Sequence, residues 1–268
     1  MHTRPIPRTG EHIPVIGLGT WSTFDVGRDA AVRAPLAEVV DVVFGAGGRV
    51  VDSSPMYGKA EGVSGDLLEG RTAFRATKVW TEGKEEGIAQ MNRSLQRMRT
   101  SSMDLMQIHN LVDWKTHLHT LRDWKAAGKI RYIGITHYAA SAFGAMESIL
   151  RNELDVDFVQ LPYNIADRTA EARLLPAASD VGAAVLVMRP FAEGDLLRRF
   201  ARTPVPAWAA EFGCTTWASL FLKMVLAHPA VTCPIPATSN PAHARANVEA
   251  GEGEALDERA LRALHALV

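Results

Sequence analysis

Phe74-Arg-Ala-Thr-Lys-Val-Trp80 is a short β-rich run, and Met103-Asp-Leu-Met-Gln-Ile-His109 is another. Between them Ile88, Met91, Leu95 and Met98 recur at the spacing of one helix face. A strand, an amphipathic helix and a second strand in this order make a parallel βα unit, because parallel neighbours require a crossover.

The alternation continues in both directions. Strand starts are expected near Val15, Arg49, Phe74, Met103, Ile130, Phe158, Ala184 and Val231, evenly spaced except for an insertion between Phe191 and Thr216. Leu36, Val39, Val40, Val43 and Phe44 keep the helical period, as do Trp217, Leu220, Phe221, Met224 and Val225. Each such face needs a sheet to cover. Eight parallel strands with helices outside predict a closed (β/α)8 TIM barrel rather than a doubly wound open sheet. Pro5 to Pro14, with its turn-prone Thr9-Gly10, is expected to form an N-terminal β-hairpin plugging the lower end, and Asp257 to Val268 an extra C-terminal helix. A single domain over residues 1–268 accommodates all of this.

Composition narrows the partners. A net charge of −1 leaves no basic excess for nucleic acid or an anionic membrane. No apolar run approaches the roughly 20 residues of a membrane span, and the segment after Met1 has no signal-peptide core. Cys214 and Cys233 support neither a disulfide framework nor a zinc site, and His117 and His119, two apart on a helix, point away from each other. No metal and no obligate protein partner are expected, and a reducing, cytoplasmic setting fits best.

In such barrels catalytic groups come from the C-terminal strand ends. Five successive strands end in hydrogen-bonding groups here: Asp52, Lys78, His109, Thr136-His137 and Gln160, with Tyr57 shortly after Asp52. Gly17-Leu-Gly19 is only half of a Rossmann fingerprint, since Ser22 stands where its third glycine belongs. A better phosphate site follows the eighth strand, where Asn240 suits an N-cap and Pro241 the first helical position.

Gly17-Leu-Gly-Thr-Trp21, Asp52-Ser-Ser-Pro-Met-Tyr-Gly58, Ala76-Thr-Lys-Val-Trp80, Asp104-Leu-Met-Gln-Ile-His109 and Gly128-Lys-Ile-Arg-Tyr-Ile-Gly134 resemble, in order and spacing, signatures of the aldo-keto reductases of bacterial type. The resemblance implies NADPH-dependent reduction of an aldehyde or ketone, with Asp52, Tyr57, Lys78 and His109 as catalytic tetrad and a small carbonyl compound as partner. It puts the nicotinamide amide against Thr136, His137 and Gln160, and the adenosine phosphate at Thr238, Ser239, His243 and Asn247. It adds Gly19, Thr20, Trp21, Met188, Arg189 and Pro190 to the cofactor contacts. Ala237 replaces a common phosphate-binding lysine, His137 a common asparagine and Met188 a common stacking tyrosine, so NADH is a second possible cofactor. Trp21, Trp80 and Trp114 are expected to line an apolar substrate pocket, and the short loops an open one.

The chemistry of the tetrad follows from its groups. Carbonyl reduction needs hydride at carbon and a proton donor about 2.6–3.2 Å from oxygen. An ammonium about 4 Å from the phenol would favour phenolate by at most ~4 kcal/mol, roughly three pK units. Lys78 is therefore expected to acidify Tyr57, Asp52 to keep Lys78 charged at some cost to that pull, and His109 to orient the carbonyl. Two other readings use the same residues: an NADP(H)-sensing module of the channel β-subunit type with little turnover, which the resemblance permits, and Schiff-base chemistry at Lys78.

Overall fold

The computed structural model covers residues 1–268. Strands β1 (Thr3–Pro5) and β2 (His12–Pro14) pair antiparallel as a hairpin. Eight parallel strands follow in sheet order: β3 (Leu18–Gly19), β4 (Val50–Asp52), β5 (Phe74–Val79), β6 (Met103–His109), β7 (Ile130–Thr136), β8 (Phe158–Pro162), β9 (Ala184–Met188) and β10 (Val231–Pro234). The ring closes between first and last. Gly17 N–H donates to Pro234 O at 3.0 Å and Gly19 N–H to Pro236 O at 3.2 Å.

Helices α1 (Ala30–Gly45), α2 (Ala60–Leu67), α3 (Lys84–Arg97), α4 (Trp114–Ala126), α5 (Phe143–Asn152) and α6 (Leu174–Val181) are the outer crossovers of the first strands. After β9 come α7 (Asp195–Phe200) and α8 (Trp217–Ala227), and after β10 come α9 (Pro241–Glu249) and the extra α10 (Glu258–His265). Leu36, Val39, Val40 and Val43 of α1 are buried, as their spacing requires. The insertion after Phe191 folds back over α8: Phe200 packs on Trp217 with ring centroids 4.4 Å apart, and the Trp217 indole N–H donates to Thr203 O at 2.7 Å. That second cover explains why α8 is buried on nearly every side.

Alternation along the strands places polarity. Residues two apart share a face, so Phe74 and Ala76 lead to Lys78, Leu105 leads to Gln107 and His109, and Phe158 leads to Gln160. The lower part of the barrel interior is accordingly apolar, with Phe74, Tyr132 and Phe158 stacked among Leu105, Leu186 and Ile235. Ile6 and Ile13 of the hairpin segment join that cluster, which plugs the lower end. The upper part is where the polar groups emerge.

The first barrel strand is shorter than its expected start at Val15. Val15 N–H is spent on His2 O in the hairpin region, and pairing with β10 begins only at Gly17. The seam also needs a residue without a side chain, because a Cβ on Gly19 would lie 2.6 Å from the Ile235 carbonyl oxygen. Backbone cannot retreat as a side chain can. Gly19→Ala is predicted to lower unfolding free energy by about 1–3 kcal/mol, read as a lower urea midpoint; an unchanged midpoint would contradict this account of the seam.

Candidate active site

Asp52 ends β4 and Lys78 lies near the end of β5, both buried. Lys78 Nζ donates to Asp52 Oδ2 at 2.6 Å and to Ser53 O at 2.6 Å, while Gln107 Nε2 donates to Asp52 Oδ1 at 2.9 Å. Each carboxylate oxygen thus has its own donor. Burial pulls the ammonium down, but Asp52, Tyr57 and Glu61 together outweigh it and hold Lys78 above its ordinary value. A lysine held above its ordinary value is a poor amine nucleophile at neutral pH, which counts against the Schiff-base reading.

Tyr57 sits in the loop after β4, with Lys78 Nζ 5.3 Å from the centre of its ring. The expected acidification is not what results. Burial, the largest influence, raises the phenol; Lys78 lowers it, Asp52 raises it again, and the net direction is upward from 10.0. The neighbouring charges alone would acidify it, whereas the cavity wall removes water from the phenolate as well. Tyr57 therefore stays a protonated phenol across the neutral range.

His109 ends β6 and meets Tyr57 edge to face, with ring centroids 6.0 Å apart. Burial, then the Lys78 charge and His137, push its imidazole down to about 3. It is neutral at any ordinary pH. Its Nδ1 lies 3.0 Å from Ser54 Oγ, and its other face borders the cavity.

That cavity, about 490 Å3, opens at the upper end of the barrel. Of the residues singled out from the sequence, Gly19, Thr20, Trp21, Asp52, Tyr57, His109, Gln160, Met188, Arg189 and Pro190 line it. Gln160 has its Oε1 taken by the Thr136 hydroxyl at 3.2 Å, leaving Nε2 buried without a partner at the cavity. An unsatisfied buried amide N–H is what a carbonyl-bearing ligand group would complete, so a nicotinamide carboxamide fits here. Arg189 is held in left-handed backbone (φ 53°) by Asn164 Nδ2 on its carbonyl, and its guanidinium packs over Tyr138 and pairs with Glu193 at 2.9 Å.

Other expected residues lie outside this cavity. Thr238, Ser239, His243 and Asn247 cluster at α9, where Asn240 Oδ1 caps Ala242 N–H at 2.8 Å; Ser239 and His243 are exposed and Asn247 is buried. His137 turns away, accepting Ala139 N–H at Nδ1 (3.0 Å) and stacking on Tyr138. Trp80 and Trp114 do not line the cavity either. Gln90 of α3 grips the Trp80 backbone from both sides (2.6 and 3.0 Å), and Trp114 begins α4 beyond the left-handed residues Asn110, Leu111 and Asp113. Met56, Tyr138, Phe191 and Leu197 supply the apolar lining instead, with Trp21, Met56 and Tyr138 exposed at the rim.

Gln107 and Ser54 were missed in the sequence reading. Gln107 was legible, since it stands two residues before His109 and so shares its inward face. Ser54 was hidden by its neighbours in the same motif.

A family model described as "Aldo/keto reductase family" matches residues 15–268, and the chain belongs to that family. The methylglyoxal reductase YeaE of Escherichia coli is 26% identical over 255 residues, spanning 90% of this chain and 87% of that protein. The aldo-keto reductase YhdN of Bacillus subtilis is 25% identical over 67% of this chain but only 59% of its own length. Among solved structures, an aldo/keto reductase from Klebsiella pneumoniae in complex with NADP and acetate superposes with a TM-score of 0.84 at 26% identity, covering 96% of this chain and 92% of that one.

The buried pair makes one direct prediction. Lys78→Met strands the Asp52 charge and should cost about 3–5 kcal/mol in denaturant unfolding, whereas adding Asp52→Leu should recover a large part of the loss. A single mutant as stable as the parent would mean that Asp52 is not held by Lys78.

Proposed function

We propose that the chain reduces an aldehyde or ketone to the alcohol with NADPH, with Tyr57 donating the proton. The observation that carries this is a phenol kept protonated beside a charged, buried lysine at the wall of a cavity shared with an unpaired amide. Membership of the family and the reductases among its relatives support the reaction class.

The reduced nicotinamide, when bound, supplies hydride to the carbonyl carbon. Gln160, with Thr136 behind it, would hold its amide, and Gly19, Thr20, Trp21, Met188, Arg189 and Pro190 the flanking part; His137, turned away with Nδ1 taken by Ala139 N–H, is not placed to share in this. Thr238, Ser239, His243 and Asn247 would take the adenosine phosphate end. Ala237 brings no charge to that end, so NADH is the second cofactor to test.

Tyr57 Oη gives its proton to the carbonyl oxygen as negative charge develops there. Lys78 then stabilises the phenolate left behind, and Asp52 keeps Lys78 cationic so that the charge is in place beforehand. The neutral His109 lends a hydrogen bond to the same oxygen. Small carbonyl compounds such as methylglyoxal and larger apolar aldehydes both have access through the open rim.

Tryptophan fluorescence quenching should show NADPH binding equally to wild type and Tyr57→Phe, while carbonyl turnover falls by about 10²–10⁴-fold in the variant. Binding with no turnover in the wild type would favour the sensing module. The pH dependence follows from the direction of the Tyr57 shift. Reduction needs the protonated phenol, whose value lies above 10.0, so kcat should be flat through neutrality and fall only on the alkaline side. A decline near neutral pH would mean that Tyr57 is acidified by Lys78 or that another group donates the proton.

A further inference from the structure

Ser54 is fully buried two residues beyond Asp52 and lies close to both groups that face the reacting oxygen. Its carbonyl accepts Tyr57 N–H at 3.0 Å, closing Ser54-Pro-Met-Tyr57 as a turn with proline at the second position, where its fixed φ is favoured. Its hydroxyl accepts Met56 N–H at 3.3 Å and lies 3.0 Å from His109 Nδ1. One residue of the loop after β4 therefore reaches across to the end of β6.

The direction of the Ser54–His109 bond can be settled by counting protons. A serine hydroxyl has one hydrogen to donate and two lone pairs. Met56 N–H occupies one lone pair, and the structure offers the hydrogen no protein acceptor besides His109 Nδ1. A neutral imidazole carries one proton, on either nitrogen. Were it on Nδ1, two hydrogens would compete along one contact and the buried O–H would be left unpaired, which is penalised. With it on Nε2, the Ser54 hydroxyl and Nδ1 satisfy each other, and Nε2–H, which has no partner in the protein, is left to donate to a ligand in the cavity that His109 lines.

We propose that Ser54 is a positioning residue that donates to Nδ1 and so fixes His109 as the Nε2–H tautomer, the form that presents a donor to the substrate oxygen. The same residue, through its carbonyl, sets the turn that aims Tyr57. Ser54 thereby ties the two donors to a common frame. The catalytic consequence rests on the carbonyl-reduction reading, but the tautomer itself does not.

The test is imidazole nitrogen NMR on the full chain labelled with [15N]histidine, His109 being identified by its loss in His109→Asn. In the wild type Nδ1 should resonate as an unprotonated acceptor and Nε2 as a protonated nitrogen, unchanged over about pH 5–8. In Ser54→Ala the Nδ1 signal should move toward a tautomer mixture. With NADPH and methylglyoxal, kcat should fall about tenfold, the factor expected for one hydrogen bond, while NADPH affinity is kept; Ser54→Thr should restore both readouts. A protonated Nδ1 in the wild type, or an unchanged tautomer in Ser54→Ala, overturns the assignment. Should Ser54→Ala not fold, the wild-type and Ser54→Thr spectra decide. If no carbonyl is turned over by the wild type, the functional reading fails alone, and the spectra still judge the role of Ser54.

Discussion

The Lys78–Asp52 ion pair is the contact on which the rest of the upper barrel depends. Taking both charges out of water costs several kcal/mol per ion, and their attraction offsets this only with good geometry and satisfied neighbours. Each ion has a second partner: Ser53 O takes another ammonium hydrogen and Gln107 Nε2 occupies the other carboxylate oxygen, while Gln107 Oε1 is left buried without a partner of its own. Gly134, opposite Gln107 in register, has no side chain for a steric reason, since a Cβ there would lie 2.8 Å from Gln107 Cγ. A glycine on β7 thus makes room for an amide on β6 that aligns a carboxylate on β4.

From that pair the electrostatics of the site follow in sequence. Lys78 remains cationic, its charge helps to keep His109 neutral, and it partly offsets the burial that holds Tyr57 protonated. These are three different protonation states imposed on neighbouring groups by one charge and one cavity wall.

Much of the architecture was legible because barrel strands and helices carry distinct periods. The eight strand positions, the plugging hairpin and the helix begun by Asp257 all rest on apolar spacing or turn and cap chemistry that is local to the chain. Local reasoning did less well where distant segments compete. The first strand shortens because the hairpin claims Val15, and Trp80 is drawn off by Gln90, ten residues further along. The upward direction at Tyr57 depends on how deeply the phenol is covered, which charges along a sequence do not reveal. Ser54 could be seen as polar but not as a neighbour of His109, since that contact joins the loop after β4 to the end of β6.

The central claim is that Tyr57 is a neutral phenol poised beside a charged lysine. The most direct measurement is a pH titration of the full chain labelled with 13Cζ-tyrosine, in which Tyr57, one of 4 tyrosines, is assigned by its loss in Tyr57→Phe. The account predicts a Tyr57 resonance that keeps its phenol position through neutrality and moves only above the ordinary value of 10.0. A resonance already at the phenolate position near neutral pH would contradict it, and would make Lys78, rather than burial, the dominant influence at the site.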